Sequence, residues 1–274
     1  MKVLVTGANG MLGQDLCPIL EESGCFVIKT DIDNLDITNE QEVIEKIEKI
    51  RPDLIIHCAA YTNVDKAEND EKKAHLINAI GTKNIAIGAK NTDSTLVYIS
   101  TDYVFDGTKN TPYLTSDKPN PINVYGKTKL EGENIVQEYC KKYYIARTSW
   151  LYGLYGKNFV ETMISLASKP ELKVVNDQKG CPTWTVELIR GILKLLNKPY
   201  GIYHICGSNS TTWYEFAKAI FDIENLNVNL TPCTSSEFKQ AAKRPSYSVL
   251  DNDNIARPWI EALKDYLKLR KELQ

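Results

Sequence analysis

A chain of 274 residues with 43% apolar and 25% charged side chains can bury a sizeable core and has the composition of a globular protein rather than a disordered one. Its formal charge of −2 provides no broad basic field, which excludes nucleic acid as the first partner to consider. No apolar run reaches membrane-spanning length, so no membrane partner is expected, and seven cysteines without any Cys-x-x-Cys spacing fit reduced thiols in a cytoplasm better than disulfides or zinc.

In chain order, the opening run Met1-Lys2-Val3-Leu4-Val5 is too short for a signal h-region and reads as a strand. Strands are expected at about 2–6, 25–30, 53–58, 95–100 and 144–148. Thr38 followed by Gln41 has capping-box spacing for a helix running to about Ile50, residues 70–90 read as a longer helix, and Pro18 should kink the first helix by removing a backbone donor. After Trp150 the pattern loosens. Gly201 to Ile205 still reads as a buried strand, and Thr212 with Glu215 forms a second capping-box spacing, for a helix through about Phe221. The alternation predicts the α/β class, a Rossmann-like doubly wound parallel sheet with a smaller C-terminal lobe. Residues 1–150 are expected to form the main domain and residues 151–274 mainly the lobe, with segments returning to the main sheet.

Directly after the first strand comes Gly7-Ala8-Asn9-Gly10-Met11-Leu12-Gly13, which differs in its first spacing from the Gly-x-Gly-x-x-Gly fingerprint but meets the same physical need. Glycines let the backbone turn tightly against a pyrophosphate while the next helix offers free N–H groups. Gly7, Asn9, Gly10, Met11, Leu12 and Gly13 are therefore candidates to hold a dinucleotide. Asp31 closes the second strand, where a carboxylate accepts from the adenosine ribose hydroxyls and disfavours a 2′-phosphate. Lys29 nearby leaves both NADH and NADPH open.

Tyr125 and Lys129 stand four residues apart in a stretch that should open a helix, and so share a face. A carbonyl reduced by hydride develops alkoxide character, and a tyrosine hydroxyl whose pKa is lowered by an ammonium neighbour can protonate it. The fourth strand ends in Ser100-Thr101-Asp102-Tyr103, placing hydroxyls at the carboxyl edge where open α/β sheets bind ligands. Thr101 is placed to bond a substrate oxygen beside Tyr125. The histidines, His57, His75 and His204, share no metal-ligand spacing, so structural roles are expected.

Together, Gly7-x-x-Gly10-x-x-Gly13, Ala59-Ala60-Tyr61, Asn78, Ser100-Thr101-Asp102 and Tyr125-x-x-x-Lys129 resemble the extended short-chain dehydrogenase/reductase superfamily. More narrowly, Ser100 to Gly107, Asn123 to Leu130, Arg147-Thr148-Ser149-Trp150 and Arg244-Pro245 resemble the dTDP-4-dehydrorhamnose reductase family, nearly end to end. That resemblance implies reduction of the C4 ketone of dTDP-4-dehydro-L-rhamnose by NADPH or NADH. It implies Tyr125 as proton donor, Lys129 on the nicotinamide ribose and Thr101 orienting the ketone. Asp36 and Ile37 would lie near the adenine, and Ala59, Ala60, Tyr61 and Asn78 along the cofactor. The substrate would meet Asp102, Tyr103, Trp150, Asn176 and Arg244, the last through its guanidinium on the diphosphate, and Asp177, Gln178, Pro182 and Thr183 lie in the same loop as Asn176 as further candidate contacts.

The resemblance also implies, for some members, dimerisation through magnesium held by carboxylates, and Asp15 and Glu187 are the positions that could correspond. Asp15 replaces a longer glutamate and no third ligand is evident, so no metal is expected, and the chain is expected as a monomer or homodimer. A dehydratase of the same superfamily would carry glutamate where this chain has Tyr103. Another nucleotide-sugar reductase, a C4 epimerase and a non-catalytic subunit similar to the methionine adenosyltransferase beta subunit remain as alternatives.

Overall fold

The computed structural model of the protein describes residues 1–238 and 240–273. The chain begins with β1 (Lys2–Thr6), α1 (Met11–Glu22), β2 (Phe26–Thr30), α2 (Glu40–Ile50), β3 (Leu54–His57), α3 (Val64–Asn69) and α4 (Glu71–His75). A π-helical stretch over Leu76–Gly81 leads into α5 (Thr82–Thr92), followed by β4 (Thr95–Thr101), a 3-10 turn over Asp102–Val104, α6 (Val124–Tyr139) and β5 (Tyr143–Thr148). The remainder comprises β6 (Leu151–Tyr152), α7 (Phe159–Leu166), β7 (Leu172–Val175), β8 (Lys179–Gly180), β9 (Thr183–Trp184), α8 (Thr185–Leu195), β10 (Gly201–His204), β11 (Thr211–Thr212), α9 (Trp213–Glu224), β12 (Leu230–Cys233) and α10 (Trp259–Glu272).

Six strands form one all-parallel sheet in the order β10-β5-β4-β3-β1-β2. Such a sheet must be covered on both faces, and alternation along each strand supplies the two apolar surfaces. Val3, Val5, Ile56 and Val97 pack with Leu12, Leu16 and Leu20 of α1 and with Leu188, Ile189 and Ile192 of α8. Leu4, Ile55, Leu96 and Ile145 face α2, α5 and α6 through Val43, Ile47, Ile85, Ala89 and Val136. A separate core joins α7, α9 and α10 around Phe216, Trp259 and Tyr266. The doubly wound sheet is the expected one, and the first five strands lie where the apolar runs placed them.

Local departures have identifiable causes. The cap of α2 is Asn39, whose side chain accepts from the Glu42 N–H, because the Thr38 hydroxyl instead donates to Asp36 at 2.7 Å. The long helix expected over 70–90 is interrupted by the π-helical stretch, which carries buried Asn78. Helix α1 continues through Pro18 to Glu22. The 201–205 run is only half-buried over its first three residues because β10 is the edge strand of the sheet. The Thr212–Glu215 capping box forms in full at the start of α9.

Candidate active site

A cavity of about 1060 Å³ opens across the carboxyl ends of the strands, the edge where open α/β sheets receive ligands. One wall is the glycine loop. Gly7 has φ +66°, and a Cβ there would stand 2.7 Å from the Ala59 nitrogen; one at Gly13 would collide with the Gly7 carbonyl. Only glycine permits this close packing of loop, helix and β3. Helix α1 has no side-chain cap at Gly10 and no acidic residue in its first turn, so its free N–H groups and positive end favour an anion. Asp31 accepts from the Asn9 N–H at 2.9 Å, tying the end of β2 to the loop. Asp36, Ile37, Ala59 and Ala60 continue the same wall. The features that a dinucleotide requires, a tight glycine turn and an uncapped helix end beside a carboxylate, are thus present in these residues.

The reacting groups converge at the mouth of β4. Asn123 caps α6 by accepting from the Gly126 N–H at 2.7 Å, and this sets Tyr125 in the first helical turn. A Cβ at Gly126 would collide with the Tyr103 carbonyl and one at Gly132 with the Tyr98 hydroxyl, so these glycines bring α6 tightly against β4 and its turn. Thr101 donates to Asp102 at 3.1 Å while its hydroxyl oxygen accepts from the Tyr103 N–H at 3.1 Å. Asp102 is buried with its Oδ2 unpartnered, and desolvation pushes it up to about 7 despite the hydrogen bond from Thr101.

The pair departs from expectation in its electrostatics. Desolvation, aided by the Asp102 charge and opposed by Thr101, pushes the Tyr125 hydroxyl up to about 12, whereas the sequence suggested a tyrosine lowered by its lysine. Lys129 is 3% exposed with its Nζ 4.0 Å from the centre of the Tyr98 ring. Desolvation brings it down to about 7 against the pull of Glu133. An ammonium that is itself costly to charge has little field to spend on the phenol. The phenol stays protonated, the form that donates to a developing alkoxide.

Among the other expected residues, Tyr103 and Trp150 line the cavity, while Tyr61, Asn78, Asn176 and Arg244 do not. Asn78 accepts from the Tyr61 N–H and donates to the Tyr61 carbonyl and Thr128, and so positions the loop after β3. The Tyr61 ring packs with Ala67, Ala74 and Val124. Asn176 accepts from the Thr212 hydroxyl at 2.7 Å, behind the start of α9. Arg244, expected on a diphosphate, is engaged by the Asp65 carboxylate at 2.7 and 3.1 Å. At the positions considered for magnesium, Asp15 accepts from Thr185, and Glu187 pairs with Arg190 and Arg257.

Two residues of consequence escaped the sequence reading. Glu133 accepts two hydrogen bonds from Arg147 at 2.9 and 2.7 Å and one from Ser100 at 2.5 Å, locking α6 to the ends of β4 and β5. Its position one turn after Lys129 was the available signal. Trp213 lines the cavity beside Trp150, which follows β5 in a left-handed conformation, φ 47°. The capping box marked where α9 begins, but nothing local marked where its first indole points.

The sheet and its glycine loop place the chain in the doubly wound, dinucleotide-binding class. It belongs to the RmlD substrate binding domain family, which matches residues 1–272. It is 42% identical over 276 residues to the spore coat polysaccharide biosynthesis protein SpsK of Bacillus subtilis, covering 98% of each chain. A crystal structure of a dTDP-4-dehydrorhamnose reductase from Clostridium acetobutylicum superposes with TM-score 0.97 at 48% identity, over 99% of this chain and 100% of that one. The Bacillus anthracis dTDP-4-dehydrorhamnose reductase in complex with NADP gives TM-score 0.95 at 44% identity, over 98% and 99%.

Proposed function

We propose that the chain reduces the C4 ketone of dTDP-4-dehydro-L-rhamnose to give dTDP-L-rhamnose. NADPH or NADH supplies the hydride when bound. The observation that carries the reading is the convergence of Thr101, Tyr125 and Lys129 at the mouth of the glycine-loop cavity, in a chain so similar to reductases of this name.

The loop from Gly7 to Gly13 and the α1 N-terminus hold the dinucleotide's pyrophosphate, with Asp31 toward the adenosine ribose and Asp36 and Ile37 toward the adenine. Lys129 meets the nicotinamide ribose. Thr101 orients the ketone oxygen toward the Tyr125 hydroxyl, which gives its proton to that oxygen as the alcohol forms. Asp102, Tyr103 and Trp150 face the sugar. Residues 1–150 act as the NAD(P)-binding domain and residues 151–274 mainly as the substrate-binding lobe. The protein works in the cytoplasm as a monomer or homodimer and requires no metal.

The test supplies dTDP-4-dehydro-L-rhamnose with NADH or NADPH at substoichiometric enzyme and follows loss of reduced-cofactor absorbance. Multiple turnovers with at least one cofactor are expected. Tyr125→Phe should keep cofactor affinity and lower turnover about a hundredfold or more, as removal of a general acid does. Absence of turnover with both cofactors would overturn the assignment, and near-normal activity in the variant would remove Tyr125 from it.

A further inference from the structure

Trp150 and Trp213 reach the cavity from distant segments and lie face to face, ring centroids 3.5 Å apart and planes 7° from parallel. Trp213 is fixed on several sides. Its Nε1 donates to Gln178 at 3.2 Å, and Gln178 in turn donates to Ser235 at 2.9 Å. Phe159 packs at 4.6 Å from its ring. The Thr212–Glu215 capping box anchors the helix turn that bears it, and Asn176 secures Thr212. Trp150 is equally constrained, since its φ of 47° is rare for a bulky residue and a Cβ at Gly180 would collide with its indole.

Two indoles held this firmly at a cavity edge form an apolar surface built before any ligand arrives. Backbone strain at a non-glycine residue persists only where the surroundings enforce it, and it concentrates at ligand sites. A 6-deoxyhexose has a matching surface, a methyl group and ring C–H bonds that make no strong hydrogen bonds. The Trp213 N–H is already spent on Gln178, so that residue offers the sugar carbon and not a donor.

We infer that Trp213 is a substrate-binding residue, the second half of an indole wall that receives the apolar side of the deoxysugar, and that Gln178 and Asn176 are positioning residues holding it there. The inference rests on the function proposed above. It also accounts for Asn176, which serves the sugar site from behind rather than by contact.

The test compares affinities for dTDP and for dTDP-L-rhamnose, by calorimetry on enzyme saturated with NADP⁺, in the wild type and in Trp213→Ala, Trp213→Phe and Gln178→Leu. Trp213→Ala should weaken dTDP-L-rhamnose about tenfold, the scale of one aromatic contact, and raise KM for the 4-dehydro sugar similarly. Turnover at saturation and affinities for dTDP and NADP⁺ should stay within about threefold, because the chemistry of Tyr125 is untouched. Trp213→Phe keeps an aromatic in the packing and should retain most of the sugar affinity, whereas Gln178→Leu should lose about threefold as the indole loosens. Should the alanine variant fail to fold, the phenylalanine and Gln178 variants carry the test. An unchanged ratio of dTDP-L-rhamnose to dTDP affinity in Trp213→Ala, or in Gln178→Leu if that is the variant available, overturns the inference, as does an equal loss for both ligands. A wild type that does not turn over the 4-dehydro sugar at all defeats the proposed function instead.

Discussion

One turn along α6 from Lys129, Glu133 takes charge-assisted hydrogen bonds from Arg147 in a region with 1–2% side-chain exposure, and His57 bridges Thr6 and Thr82 at 2.7 and 3.2 Å. The far side of the cavity is instead held by stacked rings, Trp150 on Trp213 and Trp213 beside Phe159. The two regions do comparable positioning by different means. Buried polar networks fix geometry closely, but each lost partner strands another without water. Stacked aromatics hold through area and accept a similar ring in exchange. The sheet side should therefore be brittle and pH-sensitive, and the aromatic side tolerant.

The hardest test of that contrast is Glu133→Gln. It leaves the Arg147 guanidinium buried without its carboxylate, and removing one partner of such a pair costs about 3–5 kcal/mol. Urea denaturation should show the loss, and a midpoint near that of the wild type would refute the brittleness of this side. Acid should act next. Burial pushes His57 down to about 3, with the Lys129 charge adding to it, and pushes His204 down to about 4, with Arg147 adding. Unfolded, each imidazole takes a proton near pH 6.5, so the stability tied to the neutral forms is complete above that pH and drains away as pH falls toward 3 to 4. By pH 5 the loss should be roughly 2 kcal/mol per histidine. Denaturation midpoints at pH 7.5 and pH 5 should separate in the wild type and separate less in His57→Asn; equal separation would acquit His57. The mildest change belongs to the aromatic side. Thr212→Ala removes the cap of α9 and should cost about 1 kcal/mol, with the near-ultraviolet circular dichroism of the paired indoles reduced only in part, since Gln178 still holds the Trp213 N–H. A loss as large as that of Glu133→Gln would erase the distinction between the two regions.

What the sequence revealed follows the same division. The glycine loop, Asp31, Thr101, Tyr125 and Lys129 lie at ends of strands and in one helical turn, where spacing along the chain translates directly into position. Asn39 displaced Thr38 as a cap because a side-chain bond to Asp36 competed for the Thr38 hydroxyl, and local pattern does not rank such competitors. The π-helical stretch around Asn78 depends on partners at Tyr61 and Thr128, and the fate of Arg244 on Asp65, contacts that no periodicity encodes. Trp213 is the extreme case. Trp150 is singled out by the sequence, but its partners at Phe159, Gln178 and Trp213 come from separate segments that no local pattern joins to it.

The return of the chain to the main sheet bears on how such an enzyme can be altered wholesale. Helix α8 covers the face of the sheet beside α1, and β10 completes the edge next to β5, yet both follow the first excursion of the chain away from the main sheet, through β6, α7 and β7 to β9. A fragment ending at Trp150 would leave Val3, Val5 and Val97 partly uncovered and β5 with an open edge. Residues 1–150 are therefore no cassette to be cut out and joined to a foreign C-terminal block. A new sugar preference is more readily reached by rebuilding short segments in place, since the thread that forms the wall must come back to finish the floor.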